Sequence, residues 1–141
     1  MSDQEIQFPD VNYGKENKEK MQELTTSEWS PFFGKDYWEV FIFCMSYAYS
    51  AKLERKKVSG SGTMPPQAFR QETRHLMRAL AIAEEGISVI KNPRDYVKVC
   101  EEYAAAGFGE IYKIISETDT EKTPVESILF NIINDQHRNR N

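Results

Sequence analysis

The stretch DYWEVFIFCMSYAYSAKLER, Asp36 to Arg55, decides the fold. Tyr37, Trp38, Val40, Phe41, Ile42, Phe43, Met45, Tyr47, Ala48 and Tyr49 put apolar or aromatic groups on nearly every side of a 3.6-residue helix. A helix that is apolar all round is a central one, covered by its neighbours. The aromatics and Val40 would also tolerate a strand. Length decides for helix, because the run far exceeds a typical strand of about five or six residues. Asp36 stands near the N-cap. The least charged part, Val40 to Ala51, is too short for a bilayer span, which needs about 20 apolar residues.

The segments on either side supply the covering helices. Lys56 to Pro66, KKVSGSGTMPP, reads as a flexible loop whose prolines pre-set the next helix start. Gln67 to Glu85 follows as a second strong helix. Phe69, Leu76, Leu80 and Ala83 mark its core face, Thr73 fills the same stripe, and Met77 and Ala81 lie beside it. Gly86 ends it as a left-handed cap. Asn92-Pro93 opens another helix, with Asn as N-cap, Pro at the first position and Asp95 against the macrodipole. Tyr96, Val99, Cys100, Tyr103 and Ala104 follow at helical spacing. Gly107 and Gly109 are expected to break or kink it, and Glu110 to Ser116 adds a further turn or two. Thr123-Pro124-Val125-Glu126 reads as a capping box starting a last helix through Ile128, Leu129, Ile132 and Ile133. Toward the N-terminus, Lys15 to Thr26 forms a short amphipathic helix on Met21 and Leu24. An aromatic turn of Trp29, Pro31, Phe32 and Phe33 then caps one end of the core. No internal repeat and no hairpin pattern is present. The expected fold is all-α, a compact single-domain bundle of about five or six helices. Residues 1–14 are expected to form a flexible or loosely docked arm, 15–136 the helical domain, and 137–141 a frayed tail.

The 141 residues, 40% hydrophobic and 28% charged, suit one domain with a core of its own. The aromatic content is too high for a wholly disordered chain. Cys44 and Cys100 each sit in an apolar run and read as small core residues, which points to a reducing cytoplasm. The first residues lack the basic and apolar regions of a signal peptide.

A net charge of −4 argues against a uniformly basic nucleic-acid wrapper, yet the charge is unevenly spread. Between Lys52 and Arg78 there are seven bases (Lys52, Arg55, Lys56, Lys57, Arg70, Arg74, Arg78) and two acids. From Ala79 to Glu126 there are ten acids and five bases. Arg70, Arg74 and Arg78 follow i, i+4, i+8 spacing, which stacks three guanidinium groups along one helix face. The preceding segment could bring Lys52, Arg55, Lys56 and Lys57 near them. Such a ridge repels itself mildly and would suit an anion, a phosphate backbone or an acidic partner. The competing reading is a solvated face partly neutralised by Glu72 and acids of neighbouring helices.

No catalytic, metal or cofactor motif emerges. His75 has no ligand partner at metal spacing, and His137 falls in the polar tail. Glu84-Glu85 and Glu101-Glu102 are adjacent pairs about 100° apart on a helix, which makes no metal clamp. Ser59-Gly60-Ser61-Gly62 lacks the Lys-Ser/Thr of a phosphate-binding loop. The aromatic group Trp29, Phe32, Phe33, Tyr37, Trp38 and Phe41 is expected to be mostly core. Any member left exposed, with Trp29, Phe32 and Phe33 as candidates, would make a protein-binding spot or a homo-oligomer contact.

Three segments, FGKDYWEVFIFCMSYAY (Phe33 to Tyr49), LMRALAIAEEG (Leu76 to Gly86) and EEYAAAGFGEI (Glu101 to Ile111), resemble in that order the Dnd-system-associated protein 4 family. These are small proteins encoded beside DNA phosphorothioation genes. Ala105 stands where the family pattern has Asn. The resemblance covers residues 33–111. It implies a prokaryotic cytoplasmic, non-enzymatic accessory protein of phosphorothioate modification or its dependent restriction. It supplies no catalytic residues, and it implies other proteins of that system, and DNA, as partners.

Overall fold

The computed structural model describes residues 7–119 and 122–139. Five α-helices are present among them: α1 (Lys18–Thr26), α2 (Tyr37–Ser50), α3 (Gln71–Glu85), α4 (Pro93–Ser116) and α5 (Val125–Asn139). Short 3-10 turns at Lys15–Asn17, Pro66–Ala68 and Ile87–Lys91 lead into or link them. The only strands among the described residues are β1 (Val11–Asn12) and β2 (Thr63–Met64), an antiparallel pair with Val11 opposite Met64. The chain is thus a mostly helical domain, as its periodicity implies.

The core is built on α2 against α4. Val40, Phe41, Cys44, Met45 and Ala48 of α2 meet Val97, Cys100, Ala104, Phe108 and Ile111 of α4, all buried. Glu39 closes the start of α2 by accepting the Asp36 N–H at 3.0 Å, one side of a capping box. Asn92 caps α4 by accepting the Arg94 N–H at 3.0 Å, with Pro93 at the first position.

The expected kink at Gly107 and Gly109 is absent, and α4 runs unbroken from Pro93 to Ser116. Gly107 is buried against α2. A Cβ there would drive into the Cys44 carbonyl oxygen, so glycine lets the two helices touch backbone to backbone. Gly86 does end α3, at φ 96° and ψ 165°, a positive-φ but extended geometry rather than the left-handed helical one. The inward face of α3 is also rotated from its expected position. Met77, Leu80 and Ala81 are buried, whereas Leu76 is 45% exposed and Ala83 faces solvent. The cause is local. Phe69 is buried from an extended segment before the helix, not from its first turn, so it does not set the helical phase.

The arm, expected to be flexible or loosely docked, and the loop of residues 56–66, expected to be flexible, are both docked. Val11 and Tyr13 belong to the core, so the arm assigned to residues 1–14 is fixed from Val11 to Gly14, and Phe8 packs against the core ahead of it; residues 1–6 lie outside the described residues. The Ser59–Gly62 loop is tied to the same segment. Tyr13 N–H donates to Gly62 O at 2.8 Å and Lys15 N–H to Ser59 O at 3.2 Å. Asn12 Oδ1 accepts from the N–H of Gly14 and of Gly62, while its Nδ2 donates to Gly60 O. At the other end α5 continues to Asn139, past the expected start of a frayed tail; residues 140–141, and the side chain of His137, lie outside the description.

Candidate nucleic-acid interface

Seven bases grouped by sequence are divided by the fold. Pro65 and Pro66 start a 3-10 turn, and Phe69 and Arg70 are extended, so α3 begins only at Gln71. Arg70 is therefore the residue before the helix. The expected three-arginine helical stack becomes a pair, Arg74 and Arg78, with exposed Arg70 beside the helix start. α3 rises along about 22 Å from Arg70 to Glu85. Arg55 lies at the far end.

Arg55 is neutralised there. Its Nη1 lies 2.6 Å from Glu85 and 3.6 Å from Glu84, and its Nη2 lies 2.8 Å from Glu102 of α4. Acids in the last turn of a helix face the negative end of its macrodipole, and Arg55 offsets that repulsion. Lys56 sits 3.6 Å from Glu16, an exposed pair of small energetic weight. Lys52, exposed at φ 59°, follows α2. The expected convergence of Lys52, Arg55, Lys56 and Lys57 on the ridge is thus corrected for Arg55, which reaches the acids at the C-terminal end of α3 instead.

Arg74 and Arg78 have no such partners. Arg74 Nε donates to Phe69 O at 2.7 Å and its Nη2 to Pro66 O at 2.8 Å, which clamps the turn before α3. The Arg74 guanidinium also lies 4.1 Å from the centre of the Phe8 ring. Arg78 donates to Tyr96 Oη at 3.3 Å, contacts His75 Nδ1, and sits 5.8 Å from the Tyr96 ring centre. No described carboxylate pairs with Arg70, Arg74 or Arg78. Two guanidinium groups are thus fixed by neutral carbonyls, a phenol and ring faces, with their charge uncompensated. That arrangement suits an external anion, since orientation costs little on binding and Arg favours bidentate phosphate geometry.

A neighbouring cleft of about 410 Å³ extends this surface. It is lined by Pro9, Asp10, Lys57, Val58, Arg94, Val97, Lys98, Glu101 and Glu102. Arg94 and Lys98 are hidden in sequence by the acidic average of residues 79–126. Their i, i+4 spacing is the available signal. Glu101 accepts the Asn12 N–H at 2.7 Å inside this cleft. Burial pushes its carboxyl up to about 7, the hydrogen bond from Asn12 and nearby Lys98 opposing and Glu102 adding to the shift.

The aromatic candidates separate as well. Phe32 is buried, packed edge-on against Phe43 at 5.3 Å, and Trp29 is half-buried against the core. Phe33 alone of the three is on the surface, 51% exposed. A second apolar surface lies elsewhere, a groove lined by Trp38, Ile42, Phe43 and Tyr47 of α2 with Ile133 of α5. Ile133 is 47% exposed and Phe130 62%. Cys44 and Cys100 are buried free thiols, and burial raises both well above the ordinary thiol range. Among the described residues no group of His, Cys, Asp and Glu is placed to hold a metal, and no helix is long and apolar enough to cross a membrane. No known family model, curated protein or solved structure matches the chain.

Proposed function

We propose that this protein is a non-enzymatic accessory module of a prokaryotic DNA phosphorothioation modification or restriction system. It touches the DNA backbone through Arg70, Arg74, Arg78 and the adjoining Lys57, Arg94 and Lys98. One observation carries the DNA part: Arg74 and Arg78 are positioned without any described acid, while Arg55 close by in sequence is fully clasped by acids. The system assignment rests on the resemblance of residues 33–111 and on cytoplasmic thiol usage. Interactions of this kind bind phosphates, carry little base readout and weaken steeply with salt. The test is duplex binding at low salt by the protein and by an Arg70→Gln/Arg78→Gln variant. Binding is expected to weaken, with the salt slope flattening by about 0.9 for each phosphate no longer neutralised. Absent binding, or binding that the variant leaves unchanged, overturns the DNA part. Co-purification with phosphorothioation proteins tests the context.

The α2–α5 groove supports a second reading, a homo-oligomeric adaptor with no nucleic-acid role. Ile133 lines the groove with Trp38, Ile42 and Phe43, and Phe130 is exposed three residues before it on α5. Light scattering of the protein and of Ile133→Glu separates the two. A dimer abolished in the variant, without duplex binding, selects the adaptor.

A further inference from the structure

The N-terminal segment lies across the surface just described, and its two halves are held differently. Residues 11–13 are locked. Val11 is buried, β1 pairs with β2, and Asn12 makes four hydrogen bonds to Glu101, Gly14, Gly60 and Gly62. Phe8 is held by ring contacts alone among the interactions described. It packs 5.8 Å from Phe69 and 6.2 Å from Tyr96, and it lies 4.1 Å from the Arg74 guanidinium. Pro9 and Asp10 join the two halves and line the cleft that also holds Lys57, Arg94 and Lys98.

We infer that residues 7–10 are a strap that occludes the basic surface and lifts, hinging before Val11, when a nucleic-acid backbone binds. This rests on the DNA reading proposed above and adds its regulation. The strap offers the bases what a polynucleotide would offer. Phe8 covers a guanidinium face with an aromatic ring, and Asp10 places a carboxylate in a cleft whose other charged lining is three bases, Lys57, Arg94 and Lys98, with Glu101 and the Arg55-paired Glu102. A backbone arriving at Arg74, Lys57, Arg94 and Lys98 competes with both groups. Among the described residues, lifting costs the packing of the Phe8 ring against the core and the Asp10 attraction, because the ladder and the Asn12 hydrogen bonds begin beyond the hinge. The intrinsic affinity of the surface is then reduced by the fraction of time the strap is down.

The experiment is fluorescence anisotropy of a short labelled duplex at low salt, with the full chain and three variants. Phe8→Ala removes the ring and is expected to bind about fivefold tighter. Asp10→Asn removes the competing anion and is expected to bind about twofold tighter. Phe8→Trp strengthens the stack and is expected to bind more weakly, since Trp is the best cation–π partner. Circular dichroism melts check folding, and if Phe8→Ala unfolds, the other two variants decide. Equal affinity across the series overturns the strap and leaves the DNA reading standing. No binding by any of the four proteins overturns both.

Discussion

The two ends of α3 hold the same residue type in opposite ways. At the C-terminal end Arg55 reaches across to Glu84, Glu85 and Glu102, and its charge is more than cancelled. At the N-terminal end Arg74 and Arg78 rest on carbonyls, a phenol and aromatic rings, and their charge is left over. A cation among three carboxylates ties α2's exit to α3 and α4, and its worth is measured in stability. A cation held by neutral groups is oriented without its charge being offset, and under the proposed function its worth is measured in what it binds. Similar arginines, set along one helix, thus divide into a strut and, in the function proposed above, a docking surface.

The contrast is broken most strongly by Arg55→Met. The carboxylates of Glu84, Glu85 and Glu102 would then face one another with no cation between them. The Glu102 side chain is only 12% exposed, so water screens it weakly. Removing one partner of a buried pair costs about 3–5 kcal/mol, and partial exposure of Arg55 reduces this to about 2–3 kcal/mol. Urea denaturation measures it, and duplex affinity is expected not to fall. A destabilisation within experimental error of zero would make Arg55 a surface decoration.

Arg74→Met is intermediate and moves both readouts. The Pro66 and Phe69 carbonyls lose their donors and Phe8 loses its cation, for about 1–2 kcal/mol, while duplex binding weakens. Arg78→Gln completes the series. Its partners are Tyr96, through a long hydrogen bond and a distant ring, and His75, so stability is expected to change by less than about 0.5 kcal/mol. Duplex affinity is nonetheless expected to drop, with a flatter salt dependence. Stability would therefore rank Arg55 first and Arg78 last, whereas binding would set Arg74 and Arg78 above Arg55. If both readouts rank them alike, the division between strut and docking surface is wrong.

The helices are legible in the sequence because their signals are local. Asp36, the apolar run after it, Asn92-Pro93 and the Ile128–Ile132 spacing need no knowledge of neighbours. Gly107 misleads because its reason is tertiary: the same residue that weakens an isolated helix permits the approach of Cys44. The phase of α3 misleads because Phe69 enters the core from an extended segment that Pro65 and Pro66 impose. Grouping bases by position in the chain fails for a similar reason. Sequence proximity counts Arg55 with Arg70, whereas the path of residues 51–62 sends Arg55 to acids contributed by α3 and α4. The role of Phe8 has no signal, since a lone aromatic in a polar terminus shows nothing of the arginine it will meet.

The acids on α4 repeat the contrast with the sign reversed, and they yield the smallest effect. Glu102 is paired with Arg55, while among the described residues its half-buried neighbour Glu101 accepts a hydrogen bond from the Asn12 N–H alone, beside the N-terminal segment. Asp10, Lys57, Arg94, Lys98 and Glu102 share its cleft, and burial outweighs them, so its carboxyl titrates at about 7. Unfolded, it would titrate near the ordinary value of about 4.3. Between those values the folded protein binds more protons than the unfolded chain, so this group stabilises the fold at low pH and loses that contribution as pH rises through about 7. Glu101→Gln keeps an acceptor for the Asn12 N–H without the charge. Its stability should match that of the parent at about pH 3, below both values, and exceed it at about pH 8. After discounting for the group's partial exposure the gain is about 1 kcal/mol. Urea midpoints at the two pH values measure it. A difference between the two proteins that does not change with pH means that burial does not hold a proton on Glu101. The contrast between paired and unpaired charge would then apply to the arginines alone.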